Sequence, residues 1–387
     1  MKKLAIILLA VAALSGCVYE FTPEILTEDL GGLVVEGDII IGDVSYFSLS
    51  SVEPLSGAKV APVRGFVWVE DDSGQEYHPA VSGASSTFEI DMTKASPDRK
   101  YRLRIQLGVP VAGGHTNYSS EWKEVQMAPN IDEISYSFEP EEYGKPLLDK
   151  NIHLTLSLSS PGGSGCFRWD YEEIWEFHPE MMATWYFDPA DNRKKMYSGI
   201  PPLYYCWSYA YSTQAGLAIA KSTGGERIIG YEFYDFDRRD LRLQLLYYIK
   251  LKARNISEEC YEYLHTIEVN STNTGSLTQP DPSQIVGNIF CDDDPLEVVY
   301  GYIEVSRMVY KSIYIPNSAY ISPKEAIGEQ ELPPPVSNLG IMTPLEAWEN
   351  GMRLYDSPNS WVAASCVECT ALGGTKNKPD FWPTNSE

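Results

Sequence analysis

Apolar and polar residues alternate with a period of two along much of this chain. The stretches Leu33-Val34-Val35-Glu36-Gly37-Asp38-Ile39, Tyr46-Phe47-Ser48-Leu49-Ser50, Gly65-Phe66-Val67-Trp68-Val69-Glu70, Phe88-Glu89-Ile90 and Tyr101-Arg102-Leu103-Arg104-Ile105-Gln106-Leu107 all show it. Successive side chains of a strand point to opposite faces, so each stretch predicts a half-buried β-strand. Turn clusters such as Asp71-Asp72-Ser73-Gly74 and Ser96-Pro97-Asp98 separate them. Short strands at regular spacing with Gly, Pro, Asp and Ser between them predict an immunoglobulin/fibronectin-like antiparallel sandwich over residues 31–128.

Pro129 interrupts the alternation, which restarts at Ile131 and marks a boundary. A larger β-rich domain is expected over residues 129–328. Its strands are Ile152–Leu158, the aromatic run Phe167–Phe177, Glu226–Phe236, and one long strand over Leu241–Asn255. Only one or two short helices are predicted. Ser257 caps the first, Ser257–His265, with Glu258 and Glu259 in its opening turn. Thr343, Pro344 and Gly351 bound the second. Residues 329–387 form an extended, cysteine-containing C-terminal tail, because Pro333-Pro334-Pro335 fits neither a helix nor a central strand. The fold class expected is therefore mainly β.

The first seventeen residues follow another pattern. Lys2 and Lys3 precede an unbroken apolar run, Leu4–Leu14, and then Leu14-Ser15-Gly16-Cys17. A bilayer span needs about 20 residues, so this run reads as a signal peptide, residues 1–16, rather than a membrane helix. The last four residues resemble the bacterial lipobox, which implies cleavage before Cys17 and its acylation with palmitate-like chains. Two or more such chains anchor a protein stably on a membrane. Residues 17–32 would be the tether. Its acids, Glu20, Glu24, Glu28 and Asp29, resemble a surface-export signal of Bacteroidota lipoproteins, and a solvated linker accounts for them as well.

Composition narrows the function classes. The hydrophobic share is 43%, with 26 Tyr and 9 Trp, enough to build cores throughout most of the length. The formal charge is −24, and loss of Lys2 and Lys3 with the signal takes it to −26. Such a surface repels phosphate backbones, so no nucleic-acid partner is expected. The acidity fits solubility, divalent cations or a basic partner.

Cys17 apart, six cysteines remain: Cys166, Cys206, Cys260, Cys291, Cys366 and Cys369. An even number in an exported chain predicts mostly disulfides. Cys366 and Cys369 are expected either to bond each other or to staple the tail to the second domain. Their Cys-Val-Glu-Cys spacing has no second close Cys or His pair, so no zinc site is predicted there. Asp292, Asp293 and Asp294 are three consecutive carboxylates, a calcium candidate that lacks the alternate spacing of a dedicated loop. His78, His115, His153, His178 and His265 are scattered, and no catalytic spacing or phosphate loop occurs. Glu172 and Glu173 are one of several adjacent acid pairs. No cofactor, resident metal or catalytic residue is predicted. Phe381 and Trp382 should dock, on the chain's own second domain or on a partner.

One ordered set of segments resembles a known family. These are Val35-Glu36-Gly37, Cys260-Tyr261-Glu262-Tyr263-Leu264, Gly287-Asn288-Ile289, Gly301-Tyr302-Ile303-Glu304-Val305, Cys366-Val367-Glu368-Cys369 with Gly373-Gly374-Thr375, and Lys378-Pro379-Asp380-Phe381-Trp382. Together they resemble the Bacteroidota lipoprotein family known as domain of unknown function 4249, over essentially the whole mature chain. Cys260 stands where that family has a small apolar residue, which suggests an extra disulfide partner. The resemblance implies an outer-membrane lipoprotein encoded beside a TonB-dependent transporter and supplies no catalytic residues. The function expected is a binding or accessory subunit of such a transporter in nutrient uptake. An assembly lipoprotein without a small ligand is the alternative, and a hydrolase the third reading.

Overall fold

The computed structural model describes residues 32–52, 62–81, 83–111, 114–138, 151–212, 218–272, 287–322, 324, 335–336 and 339–383. Cys17, the signal, the tether up to residue 31, Pro333 and Pro334 lie outside the described residues. The chain is mainly β, as its alternation predicts.

The first sandwich has nine strands from the N-terminal part of the chain. They are β1 (Leu33–Gly37), β2 (Ile39–Ile40), β3 (Val44–Ser51), β4 (Gly65–Asp71), β5 (Glu76–Tyr77), β6 (Thr87–Asp91), β7 (Lys100–Leu107), β8 (Asn117–Ser120) and β9 (Lys123–Glu124). Each predicted alternating run became a strand, because one face of each could be buried. Val67, Val69, Leu103 and Ile105 point inward, while Phe66 and Gln106 point out. The β4–β5 turn closes through Asp71, whose carboxylate accepts the Ser73 and Gln75 amides at 2.9 and 3.0 Å.

The second sandwich begins at Asn130, next to the predicted boundary. Its strands are β10 (Asn130–Phe138), β11 (Asn151–Ser159), β12 (Cys166–Phe177), β13 (Trp185–Asp188), β14 (Arg193–Met196), β15 (Cys206–Tyr211), β16 (Ile219–Lys221), β17 (Arg227–Asp237) and β18 (Leu246–Asn255). Helix α1 (Glu258–Thr272) follows, then β19 (Ile289–Cys291), β20 (Val299–Tyr300), β21 (Val305–Ser306) and β22 (Met308–Pro316). One sheet runs β10-β11-β17. The other runs β15-β12-β18-β22, with β16 beside β12. Phe167, Trp169, Tyr171, Leu154, Leu156, Tyr247 and Leu251 fill the space between them.

Two boundaries differ from expectation. Residues 287–306 were assigned to the second domain, yet they complete the first: β19 pairs with β8, and β20 and β21 pair in parallel with β1 and β2. Ile289, Cys291, Val299, Ile303 and Val305 enter the first core. Strands of two or three residues carry too little alternation to reveal this pairing. The second difference lies in Leu241–Asn255, which is not one strand. The Asp240 carboxylate accepts the Arg242 amide at 3.0 Å and opens a short 3-10 turn, Leu241–Leu243, that buries Leu243 before β18 starts.

Helix α1 runs beyond its expected end, and Ser257 caps it by accepting the Cys260 amide at 3.2 Å. The tail is a small lobe rather than an extended strap. Helix α2 (Pro344–Glu349), with Thr343 and Glu346 forming a reciprocal cap, joins a hairpin of β23 (Met352–Leu354) and β24 (Trp361–Ala363). The lobe packs on the β13–β14 hairpin through Phe187, Ala347, Leu354 and Trp361. A disulfide ties Cys369 to Cys206 on β15.

Charged residues hold the two sandwiches together. Asp38, between β1 and β2, accepts from Arg254 Nη2 at 2.9 Å and Arg168 Nη1 at 3.1 Å, and Arg254 Nη1 reaches Asp170 at 2.8 Å. Arg254 is 4% exposed. Glu304 is fully buried beside them and accepts from the Ser257 amide at 2.7 Å and the Ser257 hydroxyl at 2.5 Å. Burial pushes its carboxyl up despite those donors.

Candidate functional site

A cleft of about 560 Å³ opens between the two sheets of the second sandwich, against α1. Trp169 and Tyr171 of β12 form its floor, Ser212 and Ala218–Lys221 one wall, Tyr231–Asp235 of β17 the other, and Tyr261, His265 and Glu268 of α1 its rim. The local cause of this aromatic concentration is a bulge. The pairing of β17 with β11 slips between Leu154 and Thr155, so Phe233 has no partner in the ladder. An extra residue of this kind re-aims side chains that a regular strand would send to opposite faces. Phe233 and Tyr234 are consecutive, and both rings lie against Tyr171, at centroid separations of 5.8 and 5.1 Å. Tyr231 meets Trp169 edge-on at 5.3 Å. Among the described residues β17 is also an edge strand of its sheet.

Polar groups surround these rings. The Trp169 indole nitrogen is buried and has no hydrogen-bond partner among the described residues. Lys221 Nζ binds Glu258 at 2.6 Å and Glu262 at 3.2 Å and lies over the Tyr261 ring. Hydrogen bonds to those two carboxylates hold its ammonium well above the usual lysine range. His265 stacks on Tyr261 with rings 9° from parallel, and His153 pairs with Glu232 at 3.0 Å. Burial pushes the Tyr171 and Tyr234 phenols up, so both stay protonated donors at neutral pH. Behind the cleft the buried Glu173 carboxylate accepts from Tyr247 at 2.6 Å and Arg242 at 3.1 Å. Aromatic faces with carboxylates at the rim suit stacking and cation–π recognition of an organic ligand.

The sequence-derived candidates have separate fates. Glu172 and Glu173 point to opposite faces of β12, Glu172 to Lys252 and Glu173 to Arg242, and form no facing acid pair. The three aspartates do not converge as calcium ligands. Asp292 is held by Ser119 at 2.5 Å and Arg104 at 3.3 Å, and Asp294 caps its own turn by accepting the Leu296 amide at 3.0 Å. Of the six cysteines, only Cys206 and Cys369 are bonded. Cys166, Cys260, Cys291 and Cys366 are free, which corrects the expectation of mostly disulfides. Three of them, Cys166, Cys260 and Cys291, are buried on three separate elements, β12, α1 and β19.

Cys369 does staple the tail to the second domain, one of the two expected arrangements. Trp382 is 3% exposed, packed with Ile174, Trp207 and Tyr248, and its indole donates to Glu176 at 2.9 Å. It docks on its own chain and offers no partner surface, while Phe381 beside it remains 54% exposed. Sequence reading missed the cleft, because a bulge has no period and α1 meets β16 only in three dimensions.

A two-sandwich β-chain with an aromatic cleft and a stapled C-terminal lobe is the class these features define. The chain belongs to the family described as domain of unknown function (DUF4249), whose profile matches residues 18–312. The tail segments beyond Tyr310 and Lys311, from Cys366 to Trp382, lie past that match. No curated protein matches. Among solved structures, a two-domain fibronectin type III segment from chicken tenascin is similar at 10% identity, over 58% of this chain and 90% of that one, with a TM-score of 0.16.

Proposed function

We propose that the protein is a lipoprotein of a Bacteroidota outer membrane, anchored through Cys17. It serves as the binding subunit of a TonB-dependent transporter in nutrient uptake, and no step of covalent chemistry is assigned to it. The aromatic cleft carries this reading. Trp169, Tyr171, Tyr231 and Phe233 offer ring faces, and Glu232, Asp235 and Glu268 offer acceptors, a combination that suits a neutral or cationic organic ligand with hydroxyl or amine donors. The lipobox at Leu14–Cys17 supports the anchor, and family membership supports the transporter neighbourhood.

The test is purification of the full chain from detergent-solubilised membranes, followed by mass spectrometry of what accompanies it. A TonB-dependent transporter that co-purifies with wild type and with Tyr231→Ala, together with slower uptake of its substrate in Tyr231→Ala, is the expected result. A preparation without any transporter would favour the assembly role instead.

A further inference from the structure

The fold brings together three potential metal ligands that are far apart in sequence. His115 lies two residues before β8, Cys291 ends β19, and Glu297 lies in the loop leading to β20. One ligand atom from each falls within 4.8 Å of the other two. Ligands at about 2.0 to 2.3 Å around a tetrahedral ion stand about 3.3 to 3.8 Å apart, so side-chain rotations alone can close the set. We propose that His115, Cys291 and Glu297 bind a divalent ion of the zinc class, with one coordination position left over for solvent or an exogenous ligand.

Four features of the surroundings support coordination. The Asp294 amide donates to Cys291 Sγ at 3.3 Å, which orients the sulfur at the end of its strand. Tyr118, fully buried on β8, donates to Glu297 Oε1 at 2.6 Å and fixes the carboxylate from behind. The His115 ring nitrogen Nδ1 lies 2.7 Å from Glu297 Oε2. Gly114 keeps the space beside that carboxylate open, since a Cβ there would stand 2.5 Å from Glu297 Oε1.

Thiolate, carboxylate and neutral imidazole sum to two negative charges and neutralise a dication. Binding releases the thiol proton to solvent. A thiolate and an imidazole with a single carboxylate select zinc-class ions over calcium, which takes six to eight oxygens. The site therefore differs in chemistry from the Asp292–Asp294 cluster that adjoins it, and it lies in the first sandwich, apart from the aromatic cleft.

The test is titration of metal-stripped mature protein with Co²⁺ alone, followed by displacement with Zn²⁺. The expected result is one equivalent of Co²⁺ with a thiolate-to-cobalt charge-transfer band, unchanged in Cys366→Ser and abolished in Cys291→Ser. His115→Ala and Glu297→Gln should each weaken binding at least ~10- to 100-fold, the scale seen when even outer-sphere partners of a metal are removed. The His115 side chain is 42% exposed, so His115→Ala leaves the fold intact and reports on binding even if Cys291→Ser does not fold. No band in wild type, a band that survives in folded Cys291→Ser, or unchanged affinity in His115→Ala overturns the proposal and leaves the trio as a hydrogen-bonded knot.

Discussion

Replacing Arg254 by Met removes the charge at the centre of the junction while keeping most of its volume. Arg254 makes two charge-assisted hydrogen bonds, to Asp38 at 2.9 Å and to Asp170 at 2.8 Å. Each is worth about 1.5–3 kcal/mol, a gross loss of about 3–6 kcal/mol. Two effects reduce it. Asp38 keeps Arg168 at 3.1 Å, and Arg254 Nε, which finds no acceptor among the described residues, no longer has to be buried. The net expectation is about 3 kcal/mol, the low end for breaking one side of a buried pair. Denaturant titration of the mature chain, followed by circular dichroism through its first transition, measures it. Asp38→Asn in the Arg254→Met background should then cost less than it does alone, with a coupling of about 0.5–3 kcal/mol. A loss under about 1 kcal/mol, or strict additivity of the two changes, refutes this account of the junction.

Other outcomes follow from the same contacts. Burial pushes the Asp170 carboxyl up, but Arg254 and Arg168 outweigh it and the net shift is downward. That stabilisation is present above the ordinary carboxylate value of about 3.9 and is lost as pH falls through the lower folded value, so Arg254→Met should lose less stability than wild type as pH falls below about 4. Alkylation of the unfolded, unreduced chain followed by intact mass should find four reactive thiols besides Cys17 and two more after reduction. The Cys206–Cys369 loop spans 163 residues, for which chain entropy gives about 5 kcal/mol, so reduction should lower the melting temperature. Trp382→Ala should cost about 3–5 kcal/mol in a denaturant titration, because it leaves a cavity and strips Glu176 of its indole donor. A fragment limited to residues 31–128 should show no cooperative unfolding, since β8 and β1 would lack β19 and β20.

Much of the first sandwich was legible in the sequence because its long strands bury one face against a single core, and burial of alternate residues writes the period directly. Ser257 and Thr343 announced their helices, since capping is a local event. What stayed hidden depends on partners distant in the chain. His115 and Glu297 are 182 residues apart, and no spacing rule reaches that far. The resemblance segments gain a physical meaning only when folded. A Cβ on Gly287 would lie 1.8 Å from the Gly301 carbonyl oxygen, and Asn288 exchanges hydrogen bonds with Ile303 at 2.8 and 2.9 Å. Gly301, at φ +140°, in turn presses against the Val35 carbonyl. Three of the motifs are therefore one contact.

The return of residues 287–306 to the first sandwich sets an order of events at birth. β8 ends at Ser120, and its neighbour β19 starts about 170 residues later. At roughly 5–20 residues per second, β8 waits roughly 8–34 s with its edge open. An open edge of this kind is a template for unwanted pairing. During that interval nearly the whole second sandwich leaves the ribosome, all of it except β22 and the C-terminal lobe. Most of the second sandwich is thus inserted within the first and can begin to collapse while the first is still unsealed. The last stitches of the older half are Asn288 with Ile303 and β21 with β2. A chain stopped between Asn255 and Ser306 would carry two unfinished sandwiches rather than one finished and one missing.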